Sequence, residues 1–234
     1  MIQLSNANAW VELPEVKPAS IDLILTDPPY MPMPSRFGTD SEVERSPDAN
    51  KIVGVFSDAD FEIFALHAFR VLKPGRHLYC FTQEKVFHKA RPSLERAGFV
   101  VRGTLVWVKK NYTKGSFDSA REIHWDYPIQ TELIIYAHKP NESGRVRQLR
   151  GSIHSNLLTE FPNLSSNQMI HPTQKPVPLC AYLIERSSEP GELVLDPFAG
   201  IGTTLLAARD KGRDAIGYEI VEEFYRKGCF LIAS

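Results

Sequence analysis

The chain alternates between short, almost wholly apolar runs and longer stretches whose apolar residues recur every three or four positions. That is the pattern of strands interleaved with helices. Ile21-Asp22-Leu23-Ile24-Leu25 and Leu78-Tyr79-Cys80-Phe81 are apolar enough to read as strands covered on both faces. Val100-Val101 with Thr104–Val108, Glu132–Ala137, Leu193–Leu195 and Ala215–Tyr218 add further strands, and Ile2–Leu4 a short one at the start. Between them, Phe61, Phe64, Ala65, Ala68, Phe69 and Leu72 keep helical spacing behind the capping pair Ser57-Asp58, and Lys73-Pro74-Gly75 is expected to stop that helix. Helices are also expected over residues 83–97, from Leu205 through Ala208, along the Leu179, Leu183 and Ile184 face, and over 220–232. The alternation predicts an α/β fold with a mostly parallel sheet and helices on both faces. Residues 31–57 carry no apolar period and read as a lid or a mobile loop, and 139–170 form a polar, basic interruption.

Two turns stand out on this framework. Leu193-Val194-Leu195 runs into Asp196-Pro197-Phe198-Ala199-Gly200-Ile201-Gly202-Thr203-Thr204, a strand, a Gly-rich turn and a helix start. The next strand ends in Glu219, whose carboxylate can accept from both hydroxyls of a ribose. A dinucleotide fingerprint needs a third Gly where this chain has Leu205, and the Asp196 charge would repel a pyrophosphate but attract an ammonium or sulfonium. S-adenosylmethionine carries both cations and no phosphate. An ordinary strand–helix junction and a dinucleotide site are the alternative readings of this turn.

The second turn is Asp27-Pro28-Pro29-Tyr30, directly after a strand. In a parallel sheet, turns that follow strands open on one edge, so the two turns are expected to face a common cleft. The Asp27 carboxylate and the Pro28 carbonyl can accept the two N–H bonds of an exocyclic amine, and Tyr30 offers a ring for stacking. Held so, the nitrogen lone pair turns toward a methyl donor, and transfer proceeds by direct displacement. A base inside a duplex would have to be flipped out to reach such a site.

Composition adds limits. Net charge is −1, so a nucleic-acid surface must be local. Lys109, Lys110 and Lys114, interleaved with aromatics over 109–130, and Arg145, Arg147 and Arg150 further on are the basic clusters available, with Arg36 in the 31–57 segment. Cys80, Cys180 and Cys229 are odd in number and widely spaced, which suits reduced thiols in a cytoplasmic protein and no metal framework. No apolar run is long enough to span a membrane, and no export signal opens the chain.

Asp27–Tyr30, Asp196–Thr204 and His171-Pro172-Thr173-Gln174-Lys175-Pro176, in that order, resemble the DNA amino-methyltransferases that modify adenine N6 or cytosine N4. The catalytic motif comes first and the cofactor motif late, which resembles the circularly permuted beta class. The resemblance implies a Rossmann-like S-adenosylmethionine-dependent methyltransferase fold with a seven-stranded sheet. Residues 1–138 would form its catalytic half, 139–170 a short target-recognition insertion and 171–234 the cofactor half. It implies that Asp27, Pro28, Pro29 and Tyr30 hold the target base. The cofactor would lie against Asn6, Asp27, His171, Lys175, Asp196, Pro197, Phe198, Gly200, Gly202, Thr203, Glu219 and Ile220, with Lys175 at its methionine end. Where the family often has Gly-Asp, this chain has Ser5-Asn6.

The expected partner is double-stranded DNA, with Arg36, Lys109, Lys110, Lys114, Arg145, Arg147 and Arg150 as its contacts. Because 139–170 is short for a full recognition domain, recognition is shared with other segments, permissive, or aided by a homodimer or an accessory specificity subunit. Asp at the first motif position leans toward adenine N6 over cytosine N4. RNA or protein-glutamine methylation and an inactive DNA-binding subunit are the remaining alternatives.

Overall fold

A computed structural model describes residues 1–29, 56–109, 130–152, 155–164 and 174–234. Tyr30, Arg36, Lys110, Lys114, His171 and most of the 31–57 and 109–130 segments lie outside the described residues.

The strands are β1 (Ile2–Asn6), β2 (Ile21–Thr26), β3 (Leu72–Thr82), β4 (Val100–Val108), β5 (Thr131–His138), β6 (Leu157–Leu158), β7 (Leu193–Asp196) and β8 (Asp214–Glu219). They form one sheet in the order β1-β8-β7-β2-β3-β5-β4-β6. All neighbours are parallel except β5, which runs antiparallel to both β3 and β4. The sheet has eight strands among the described residues rather than seven, because two-residue β6 adds itself to the β4 edge.

Three helices cover one face: α1 (Ala9–Glu15), α2 (Asp58–Val71) and α3 (Glu84–Arg96). The other face carries α4 (Val177–Ser187), α5 (Thr203–Asp210) and α6 (Glu222–Ala233). Alternate residues of β2 serve the two layers: Ile24 packs with Phe61, Phe64 and Leu94, whereas Leu23 and Leu25 pack with Leu179, Leu183 and Leu205. Every residue of β2 is buried, as an apolar run at the centre of a covered sheet requires. Each such Leu or Ile contributes about 1.5–3 kcal/mol by leaving water. Helix α2 begins at a capping box in which Ser57 accepts from the Asp60 N–H and Asp60 accepts from the Ser57 N–H.

Two features of the fold were not expected from the sequence. Helix α2 does end just before Lys73-Pro74-Gly75, at Val71, but that tripeptide lies inside β3, which starts at Leu72. Strand β5 and its continuation supply partners that far down: the Gly75 N–H donates to the Lys139 carbonyl at 2.8 Å and the Lys139 N–H to the Arg76 carbonyl at 3.0 Å. The sequence pattern also showed no helix over Ala9–Glu15, a single short piece interrupted by Pro14 and capped by Asn8. Among the described residues no helix is long and apolar enough to cross a membrane.

Candidate functional site

Four neighbouring parallel strands, β1, β8, β7 and β2, end on the same edge and deliver Asn6, Glu219, Asp196 and Thr26-Asp27 in that order. Three interstrand steps span about 14 Å, the length of an extended nucleoside with an amino-acid tail. The early and late turns meet directly, because the Thr26 hydroxyl donates to Asp196 Oδ1 at 2.8 Å.

The late turn depends on backbone freedom. Gly200 and Gly202 have φ of +55° and +77°, and Gly202 caps α5 in the left-handed conformation. A Cβ on Gly202 would lie 3.0 Å from Ile232 Cδ1 and 3.6 Å from Leu4 Cδ2. That position points into the packing between α6 and β1, so conformation and packing are what demand glycine there.

Asp196 is almost wholly buried, and its Oδ1 also accepts from the Phe198 N–H at 3.2 Å. Burial pushes its pKa up to about 6 despite bonds from Thr204, Thr26 and the Phe198 N–H, and nearby Asp27 adds to the rise. Asp196 thus ties the two turns together, a role the charge argument from sequence did not contain. Glu219 accepts from the Val221 N–H at 2.7 Å, and burial raises its pKa to about 7. Asn6 donates its side-chain amide to the carbonyls of Glu219 at 2.8 Å and Ile220 at 3.2 Å, which fixes the orientation of its oxygen.

Phe198 stands in an aromatic cluster with Trp10, Phe56 and Phe64, at ring-centre distances of 5.9, 5.1 and 5.8 Å. The chain leaves the early turn at Pro29 and is back at Phe56, whose N–H donates to the Pro29 carbonyl at 2.9 Å. Asp27 Oδ2 receives the Lys175 ammonium at 2.5 Å, and the same ammonium lies 2.8 Å from Glu132 Oε1 and 5.0 Å from the centre of the Phe81 ring. Lys109 closes the string on Glu132 Oε2 at 2.8 Å. Cys80 and Cys180 sit close enough for Asp27 and Asp196 to act on them, and burial keeps both thiols protonated. No thiolate nucleophile is therefore on offer at this edge among the described residues.

The basic residues divide. Lys109 lies at the same edge as Asp27. Arg147 and Arg150, expected as DNA contacts, are at the opposite edge and engaged within the protein. Arg147 is locked onto both oxygens of Glu192, just before β7 starts, and Arg150 pairs with Glu189 beyond the C-terminal end of α4. Arg145 stands with them, its carbonyl beside Gly75 in the early part of β3. The chain turns there because β5 runs antiparallel and exits at the N-terminal end of β3. Thr26, Glu132 and the aromatic cluster were missed from sequence. Their only signals were a hydroxyl and an acid at the ends of otherwise apolar strands.

The residues present fit S-adenosylmethionine: a carboxylate able to take a ribose ends β8, and beside it lies a glycine turn that Asp196 braces through the Phe198 N–H. Comparison with known proteins agrees. The sequence model of the DNA methylase family, whose members modify adenine N6 or cytosine N4, matches residues 21–229. A putative methylase, YubD, of Escherichia coli K12 is 30% identical over 89% of this chain and 80% of its own length. The DNA adenine methyltransferase YhdJ of the same organism is 30% identical over 95% of this chain and 80% of its own. A crystal structure of M1.HpyAVI in complex with SAM superposes over the full length of both chains with a TM-score of 0.71 at 24% identity. With the matched model spanning both turns and the sheet between them, the chain belongs to the S-adenosylmethionine-dependent DNA methylases of the adenine-N6 and cytosine-N4 type.

Proposed function

We propose that this methyltransferase modifies N6 of adenine in double-stranded DNA, with the base extruded into the cleft beside Asp27. The observation that carries this reading is the 2.8 Å bond between Thr26 and Asp196, which puts the acceptor turn and the cofactor turn side by side. Asp27 and the Pro28 carbonyl accept the two N–H bonds of the target amine, and Tyr30 stacks on the base. Pro28 and Pro29 keep the carbonyl direction fixed without adding donors. Glu219 takes the ribose hydroxyls, Asn6 offers its oxygen to the adenine of the cofactor, and Ile220 and Phe198 flank it with apolar surface. Bound S-adenosylmethionine supplies the electrophilic methyl group. The residues around it position the amine, exclude water and point the nitrogen lone pair at that methyl.

Adenine is favoured by Asp at the first motif position, and YhdJ, named as an adenine enzyme, is similar over nearly the whole chain. Contact with DNA falls to Lys109 and to residues of the Asp27 edge. A second subunit, either another copy or a specificity protein, would complete target recognition. The test uses cofactor labelled in the methyl group and DNA from a methylation-deficient strain, digested to nucleosides. Label is expected in N6-methyladenine. Label in N4-methylcytosine would overturn the base assignment. Asp27→Ala is expected to abolish transfer while cofactor binding persists, and retained turnover would remove Asp27 from the mechanism.

A further inference from the structure

Near its start, strand β5 carries an acid in apolar company. Glu132 is followed by Leu133, Ile134 and Ile135, and it is 3% exposed. A lone buried carboxylate would be unstable, and here two ammonium groups meet it, Lys109 at 2.8 Å and Lys175 at 2.8 Å. Lys175 is itself buried and reaches on to Asp27. The four groups form an alternating string, Lys109, Glu132, Lys175, Asp27, running from the partly exposed end of β4 into the cleft. Burial works against the Lys175 charge, but the carboxylates of Asp27 and Glu132 outweigh it and raise the pKa. Burial also opposes the Glu132 charge, and Lys175 and Lys109 outweigh it in turn, leaving its pKa low. Each ion helps hold the other charged.

A buried string of this kind adds little to stability compared with apolar residues of the same shape. It does fix geometry. Asp27 follows a strand end and precedes two prolines, which restrain its backbone but not the side-chain bonds that aim its carboxylate. An ammonium anchored from the far side by a strand residue sets that aim. We propose that Glu132 is a positioning residue for methyl transfer: it holds the Lys175 ammonium against Asp27 and thereby orients the carboxylate that grips the target amine. This rests on the reading of Asp27 given above.

The test measures transfer of tritiated methyl from S-adenosylmethionine to DNA of a methylation-deficient strain, together with cofactor affinity by calorimetry. Glu132→Gln is expected to lower kcat about tenfold to a hundredfold, the scale of one lost charge-assisted bond, with the cofactor Kd within about twofold. Glu132→Asp, which keeps the charge, recovers part of the loss. In a Lys175→Met background, Glu132→Gln is expected to change kcat by less than about twofold, because its route to Asp27 is already cut. If Glu132→Gln does not fold, the pair Lys175→Met with Glu132→Leu removes both buried charges together. That pair is expected to melt cooperatively and to turn over as slowly as Lys175→Met alone. Wild-type kcat in Glu132→Gln or in the pair, or losses that multiply in the double variant, overturn the proposal. Turnover in Asp27→Ala overturns the underlying reading instead, whereas an inactive Asp27→Ala beside a fully active Glu132→Gln overturns only the role of Glu132.

Discussion

Cofactor affinity is expected to depend on pH through Glu219. Its carboxyl is buried at the end of β8, and burial lifts its pKa from 4.5 to about 7. Only the ionised carboxylate accepts from both ribose hydroxyls, so the apparent Kd scales with one plus the ratio of protonated to ionised Glu219. Between about pH 8 and about pH 6 that factor rises roughly tenfold, equivalent to about 1.4 kcal/mol of binding energy. At about pH 7 the same argument requires release of roughly half a proton per cofactor bound. Isothermal titration in two buffers of different ionisation enthalpy reads both quantities. Glu219→Gln serves as the reference: it binds more weakly, and whatever pH dependence it keeps belongs to the ligand or to Asp196, whose pKa of about 6 matters only at the acid end. An unchanged Kd across the range in the native protein, or a full tenfold change in Glu219→Gln, would refute the reasoning.

Other outcomes follow from the same geometry. Gly202→Ala is expected to lower stability in urea by about 1–2 kcal/mol for the left-handed backbone alone, and tight contact with Ile232 adds to this. The cofactor Kd of the folded fraction should move much less, because the new Cβ points away from the cleft. Arg147→Met is expected to destabilise the fold by about 1–3 kcal/mol through the loss of the Glu192 pair. It should leave the salt dependence of DNA binding, read by fluorescence anisotropy, unchanged, whereas a phosphate-contacting cation would reduce the logarithmic slope by about one. Without cofactor, Glu219 should make the protein less stable at about pH 8 than at about pH 5, read as the pH dependence of melting that Glu219→Gln loses, since buried His77 works in the opposite direction. The folded-state pKa of Glu219 is raised, so its stabilising term is complete below 4.5 and is lost as pH rises through about 7. Calorimetry of the native protein against Glu219→Gln should show a difference on the order of 3 kcal/mol developing over that window.

What could be read from the sequence has a physical boundary, and particular residues mark it. Asp27–Tyr30 and Asp196–Thr204 were legible because each turn carries its chemistry in a contiguous string, and a parallel sheet forces turns after strands onto one edge. The helices were legible where one apolar face is long, as from Phe61 to Ala68, and illegible where Asn8 caps only seven residues. The helix stop at Lys73-Pro74-Gly75 was legible because Pro and Gly signal it locally, but the early start of β3 was not. The strand persists there because β5, distant in sequence, runs alongside it. Arg147 and Arg150 read as a basic patch since charge can be counted along the chain, but their carboxylate partners Glu192 and Glu189 come from another part of the fold. Glu132 is the reverse case. A single acid beginning a strand signals nothing by itself, and its meaning depends on Lys175 arriving from the start of α4 and Lys109 from the end of β4. In this chain, then, local strings announce which chemistry is present, and the fold decides which charges serve it. The one antiparallel strand of the sheet supplies the clearest instance, because reversing β5 is what brings the front of that strand, and not its tail, to the edge where Asp27 stands.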